Sequence, residues 1–309
     1  MPLVVCIGAV LIDELYHCDE NVIQATSNPS NCKKNIGGVM GNIARHLSLL
    51  DINTEFITVL GNDTDANYII DHCEHLGLSL QYSYRTNAPT GKYIGIHEPN
   101  GQLSTAVCTN TLTHSITEQF LESRKDVLRS ADLIVADTNL EIEALSWLNN
   151  FAFIENKKLI IEPVSVIKAR KISEMPTNGV FMITPNEVEL QSILHDETAI
   201  SYQLAATLIK NGINQIWVRK GIEGSVIYKN DLQLELSVPE INIKDSTGAG
   251  DAALAGWIFA HLDGYNETDC LKIAHSFAMD ILQIEGAVDI TITKEKLLSS
   301  FRKYYHEHE

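Results

Sequence analysis

The chain has 309 residues, 45% of them hydrophobic, enough to bury one large core. Its 40 Asp+Glu against 23 Lys+Arg leave a formal net charge of -17. That sign repels phosphate backbones and anionic lipid, so neither a nucleic acid polymer nor a membrane is expected as a partner. Six scattered cysteines without a C-x-x-C pair argue against zinc and disulfides and for reduced thiols in a cytoplasmic protein. The apolar opening run is too short to span a bilayer and lacks a basic flank.

In chain order, residues 3–9 read as a buried central strand, continuously hydrophobic. Asp13 falls just past its end, where α/β sheets place ligands, although a turn aspartate is the plainer reading. Residues 14–36 are polar and contain a turn at Ser27-Asn28-Pro29-Ser30. Gly37-Gly38 opens a helix over 39–50, whose Ile43, Leu47 and Leu50 share a core-facing stripe. Asn42 sits near its start, poised over the paired glycines or simply solvated. A strand at 55–61 and a helix at 65–76 follow. Residues 92–97 and 102–107 flank a Pro99-Asn100-Gly101 turn, a β-hairpin that interrupts the alternation. With 14–36 it is expected to form a small lid sheet.

Strands at 133–136, 158–162, 180–183, 215–218 and 225–228 alternate mostly with helical patterns, which predicts a parallel sheet sandwiched by helices. A last strand is expected to end near Ile243. No linker or repeat divides the chain, so residues 1–309 are expected to form one domain with a lid at about 14–36 and 91–108.

The chemistry concentrates in Lys244-Asp245-Ser246-Thr247-Gly248-Ala249-Gly250-Asp251, followed at once by an apolar helical run. Glycines there permit a tight turn and close approach, and a helix N-terminus offers unpaired N–H groups to an anion. Asp251, in the first turn, can take a proton from a hydroxyl facing that anion; a plain N-terminal charge complement is the competing reading. The chain lacks both the P-loop and the protein-kinase motif set, so phosphoryl transfer would need this other cradle. Thr184-Pro185-Asn186-Glu187-Val188-Glu189 puts Asn186 and Glu189 on one face of an opening helix. There they suit Mg²⁺ or merely cap the helix. At a strand end, Arg219-Lys220-Gly221-Ile222-Glu223-Gly224 offers glycines and a cation to phosphates, or just a tight turn.

Gly37-Gly38 with Asn42, Asn186 with Glu189, Gly221 with Gly224, and Asp245 through Asp251 occur in the order seen in ribokinase-like (PfkB) carbohydrate kinases. The resemblance runs from Leu3 to about Ile292. It implies a three-layer α/β sandwich with a mostly parallel central sheet and a small β lid. It also implies that Asp251 is the general base and that Gly248, Ala249 and Gly250 form an anion hole. Asp13, Gly37, Gly38 and Asn42 would hold the substrate. Asn186, Lys220, Gly221, Gly224 and His275 would lie at ATP. Glu189 would hold Mg²⁺ through water, and Asp245, Thr247 and Gly286 a monovalent cation such as K⁺.

Ser27-Asn28-Pro29-Ser30 and the stretches beginning Ala136-Asp137-Thr138-Asn139 and Glu162-Pro163-Val164-Ser165 resemble the pseudouridine kinase branch. That branch phosphorylates the 5′-hydroxyl of a C-linked ribonucleoside. Three positions depart from the usual patterns: Asp51 and Ala66 replace common glycines, and Glu162 stands where the branch usually has Asp. Ribokinase, another sugar or nucleoside kinase, and a catalytically inactive sensor are the alternatives. A homodimer formed through the lid is the expected assembly.

Overall fold

The computed structural model describes residues 1–230 and 232–305. Its strands are β1 (Leu3–Ile7), β2 (Leu11–Cys18), β3 (Ser30–Gly37), β4 (Asn53–Ile57), β5 (Val59–Leu60), β6 (Tyr84–Arg85) and β7 (Lys92–His97). They continue as β8 (Leu103–Thr109), β9 (Leu133–Asp137), β10 (Lys158–Glu162), β11 (Val180–Ile183), β12 (Gln215–Arg219), β13 (Ser225–Lys229) and β14 (Leu232–Leu236). An eight-stranded sheet runs in the order β14-β13-β12-β11-β10-β9-β1-β4. From β4 to β12 neighbouring strands are parallel; β13 and β14 close one edge as an antiparallel hairpin.

The continuous hydrophobicity of β1 follows from helices covering both faces. Val4 and Cys6 belong to a core with the helices Val39–Leu49, Ala249–Leu262 and Glu267–Leu282. Val5 and Ile7, pointing the other way, join a second core with helix Ile142–Ile154. The two-residue period of a strand divides one apolar run between two layers. The result is the expected three-layer α/β sandwich.

The second sheet, β3-β2-β7-β8, stands off the sandwich. β2 pairs antiparallel with β3 and parallel with β7, and β7 pairs antiparallel with β8. An ion-pair cluster fastens this lid to the body. Asp65, in the first turn of helix Thr64–His75, meets Lys34 of β3 and Lys92 of β7 (2.8 Å), and Lys92 also meets Glu14 of β2 at 2.7 Å. Two lid strands thus converge on one body carboxylate, and the third joins the cluster through Lys92.

The expected strand ending near Ile243 is corrected. The last strand is β14, which ends at Leu236, and residues 237–247 leave the sheet. Pro239 brings no N–H to a ladder. The apolar residues that suggest a strand there, Val238, Ile241 and Ile243, line the cleft instead. Asp51, at a position where glycine is common, adopts φ 58, a left-handed conformation that Asp tolerates better than most side chains.

Replacing Asp65 by Ala leaves Lys34 and Lys92 without their shared partner. We expect a loss of about 1–2 kcal/mol in urea unfolding and faster proteolysis within residues 14–36. Unchanged cleavage there would show that the cluster does not hold the lid.

Candidate active site

A cavity of about 1090 Å³ opens beyond the C-terminal ends of the parallel strands, between lid and body. It runs from Leu15, Tyr93 and Cys108 on the lid, past Asp13, Asn42 and Asp251, to Ile222, Gly224 and His275. Parallel sheets place their ligands at this edge because loops and helix N-termini converge there.

At its centre helix Ala249–Leu262 begins. Gly248 is its N-cap, in the left-handed region at φ 77, and no side chain caps the helix. A Cβ at Gly248 would lie 2.6 Å from Ala287, so only glycine fits. The first N–H groups of the helix therefore remain available to a ligand anion. Ala287 is itself held from helix Val39–Leu49, where fully buried His46 bonds its carbonyl through Nε2 at 3.0 Å. Burial pushes His46 down to about 3, and the Arg45 charge adds to this, so the neutral ring donates from Nε2.

Asp251 is 8% exposed and accepts a 2.7 Å hydrogen bond from Asn42 Nδ2. Burial, aided by the Glu162 charge, pushes its carboxyl up to about 7, against Asn42, Arg219 and Arg45, which pull it down. A group titrating there is matched to proton abstraction near neutral pH. Asn42 is aimed by buried Arg45, whose Nη2 donates to Asn42 Oδ1 at 2.5 Å and to the Ile36 carbonyl at 2.7 Å. With its carbonyl oxygen occupied, Asn42 turns its NH₂ toward Asp251. Asp13, on β2, lies against the Gly37 backbone, and burial pushes it up to about 6 despite Arg45. At Gly38, φ 92, a Cβ would lie only 2.7 Å from the Ala9 carbonyl oxygen, so glycine is needed for this close passage. The structure thus brings Asp13, Gly37, Gly38, Asn42 and Asp251 to one end of the cleft.

Opposite them, Glu162 ends β10 and Arg219 ends β12. Arg219 Nη2 reaches both Glu162 oxygens, at 2.9 and 3.3 Å, and Thr184 Oγ1 donates to Glu162 Oε2 at 2.8 Å. The turn after Glu162 holds Val164 at φ 66, a strained conformation for a β-branched residue, costing about 1–3 kcal/mol. Thr138 Oγ1 pins that turn at the Pro163 carbonyl, 2.5 Å away. Asn186 and Glu189 do form a helix cap: Asn186 Oδ1 accepts from Glu189 N, and Glu189 Oε2 from Asn186 N, each at 2.9 Å. Both also line the cavity, so capping and ligand contact are compatible here. Glu189 Oε1 has no hydrogen bond among the described residues, and burial with the nearby Glu162 charge raises its carboxyl. An oxygen-only donor set of this kind fits Mg²⁺ held partly through water. No group of three or more metal-ligating side chains occurs among the described residues.

Of the two adjacent cations at the end of β12, Arg219 reaches the cavity and Lys220 does not. Lys220 Nζ pairs instead with Glu235 at 3.0 Å. Strand alternation sends consecutive side chains to opposite sides, and no local signal says which faces the cleft. Gly221 and Gly224 flank a short 3₁₀ turn between β12 and β13 and reach the cavity. His275 also lines it, its ring held by Ser225 Oγ at 2.8 Å and Tyr305 OH at 3.2 Å, and burial pushes it down to about 4. Asp245 accepts from Thr247 N and Oγ1 through one oxygen and from Gly286 N through the other. These bonds close the 245–248 loop upon residue 286. Sequence reasoning missed Arg45 and His46 beside the site, and within the 219–224 stretch it singled out Lys220 where Arg219 lines the cavity. The signal was faint: two basic residues follow Asn42 in a helix otherwise apolar on its inner face.

The sequence pattern of the pfkB family of carbohydrate kinases matches residues 1–294. The chain is 28% identical over 291 residues to the pseudouridine kinase of Escherichia coli (strain K12), covering 91% of each. It is 24% identical to a ribokinase of Arabidopsis thaliana, over 82% of this chain and 68% of that one. Among solved structures, Arabidopsis thaliana ribokinase complexed with ribose and ATP superposes with TM-score 0.85 at 20% identity, covering 97% of this chain and 98% of that one. A carbohydrate kinase from Agrobacterium tumefaciens gives 0.86 at 22%, covering 98% of both.

Because the Asp251 carboxyl is raised by burial, the folded state binds its proton more tightly than the unfolded chain does. Its contribution to stability is present below the unfolded value of about 4 and is lost as pH rises toward about 7. Asp251→Asn removes that loss, so at pH 8 we expect a melting temperature equal to or above wild type, with turnover down by several orders of magnitude. A variant with near wild-type kcat would refute the role of Asp251.

Proposed function

The chain belongs to the pfkB family of carbohydrate kinases, and from that premise we propose that it phosphorylates the 5′-hydroxyl of pseudouridine with ATP. That it is a sugar or nucleoside kinase of the ribokinase/PfkB group follows from the family match and its relatives. The narrower reading rests on the similarity to pseudouridine kinase over 91% of both chains. A cavity continuous from lid to His275 has room for a nucleoside and a nucleotide end to end. Leu15, Tyr93 and Cys108 would supply the wall for a nucleobase, which free ribose does not need.

In this reading Asp13, Gly38 and Asn42 hold the ribose hydroxyls. The acceptor oxygen attacks the γ-phosphorus as the bond to ADP breaks, and its proton passes to Asp251. The first N–H groups of helix Ala249–Leu262 meet the transferred oxygens and cost no reorganisation, being unpaired beforehand. Asn186 and Glu189 would hold Mg²⁺, which when bound offsets phosphate charge. The family's kinases use ATP, and Mg²⁺ is typical of them. K⁺ at the Asp245, Thr247 and Gly286 loop, adenine against His275, and a homodimer through the lid belong to the same proposal. Supporting a lid contact, β8 is exposed along its length and presents Leu103 and Val107.

The test is a panel of pseudouridine, uridine, adenosine, ribose and fructose 6-phosphate with coupled ADP detection, with and without K⁺. We expect the highest kcat/KM for pseudouridine. Its pH profile should lose activity below an apparent value of about 7, as Asp251 takes up a proton. Preference for free ribose would favour ribokinase and overturn the nucleoside reading.

A further inference from the structure

Arg219 is the only lysine or arginine among the described residues lining the cavity, which is also lined by Asp13, Glu162, Glu189, Glu240 and Asp251. A ligand carrying a phosphoryl group must enter this acidic space, and the backbone N–H groups carry only partial charge. The guanidinium is used unevenly. Nη2 is bound to Glu162, and lies 3.9 Å from Glu189 Oε2. Buried Nε has no partner, and no hydrogen bond from Nη1 occurs among the described residues.

Nη1 points at the anion hole. A Cβ placed on Gly250 would collide with it, so the second glycine of Gly248-Ala249-Gly250 makes room for this side chain as well as for a ligand. Ion pairing alone does not account for the arrangement. Nε is the buried unpaired donor, whereas Nη1 is not fully buried and is left open to the cavity, where a ligand can meet it. Glu162, itself fixed by Thr184, holds Nη2 and leaves Nη1 beside the first turn of the helix. Glutamate is long enough to make this grip from the end of β10.

We propose that Arg219 binds the phosphoryl group in transit, its Nη1 edge meeting the phosphoryl oxygens above Gly250 while Glu162 grips Nη2. This rests on the kinase reading above. In the transfer the phosphorus–oxygen bond to ADP breaks, the bond to the acceptor oxygen forms, and the acceptor's proton goes to Asp251. Arg219 keeps its protons and contributes charge and direction.

The experiment compares the affinities of Mg·ADP and of Mg·AMPPNP, a non-hydrolysable ATP analogue, by titration calorimetry, which needs no acceptor. The proteins are wild type, Arg219→Lys, Arg219→Met, and the double variant Glu162→Gln with Arg219→Met, which removes both buried charges together. In Arg219→Met and the double variant we expect AMPPNP to weaken at least about tenfold and ADP less than about twofold. Arg219→Lys should fall between. Where kcat is measured, it should drop further than ADP affinity. Equal weakening of both nucleotides, or no change in folded Arg219→Lys and the double variant, overturns the proposal while leaving the kinase reading intact. A wild-type protein that binds neither nucleotide overturns both.

Discussion

The contact between Asn42 and Asp251 joins two helices, Val39–Leu49 and Ala249–Leu262, that are some two hundred residues apart in the chain. It lies inside the cleft and forms only if both helix starts are in place. Arg45 aims the amide from one side, and His46 secures Ala287 against Gly248 on the other. A single helix, Val39–Leu49, therefore locates both the carboxylate's hydrogen-bond partner and the wall behind the anion loop. Its polar residues Asn42, Arg45 and His46 are all buried, a placement that costs free energy unless each is bonded.

Charge in the cleft is set by two neighbouring groups, Asp251 and Arg219. Around Asp251, burial dominates over the nearby cations and leaves a carboxyl able to give and take a proton near neutral pH. At Glu162 and Glu189, Arg219 supplies a compensating cation. Burial alone would lower its guanidinium, but the two carboxylates outweigh that and hold it above the ordinary range. Asp251 is thus suited to moving a proton and Arg219, whose Nη1 reaches Gly250 beside it, to meeting an anion within the same cavity.

The lid is built on a different principle from the sandwich. Its strands carry little core, and β3 and β8 are largely exposed. Its base, at Ile12 and Ile36, joins the body core, while farther out it is tied by ion pairs, Lys34 and Lys92 with Asp65 and Lys33 with Glu285. The outer part, joined by ion pairs and not by buried apolar area, opens at lower cost than an element in a core. That difference suits a wall that has to admit a ligand and then exclude water.

Period and composition carried much of this fold. Alternating apolar strands and helical stripes mark the layers, because side chains at periods of 2 and 3.6 must face one core. The order of Gly37-Gly38, Asn186 with Glu189, Gly221 with Gly224, and Asp245 through Asp251 was enough to mark the candidate catalytic loop and the family. What local pattern could not decide were facts of direction. A strand is expected to end near Ile243, yet Val238, Ile241 and Ile243 face the cleft, since nothing local tells a cleft wall from a core. Lys220 and Arg219 are adjacent cations, and only the pairing of β12 with its neighbours sends one to Glu235 and the other to Glu162. Arg45 and His46 look like surface residues of a helix until the Ala249–Leu262 helix packs across them. Sequence by itself determined which chemical groups this protein carries and the layers that hold them. Tertiary structure decided which of those groups meet, because each such contact joins segments far apart in the chain.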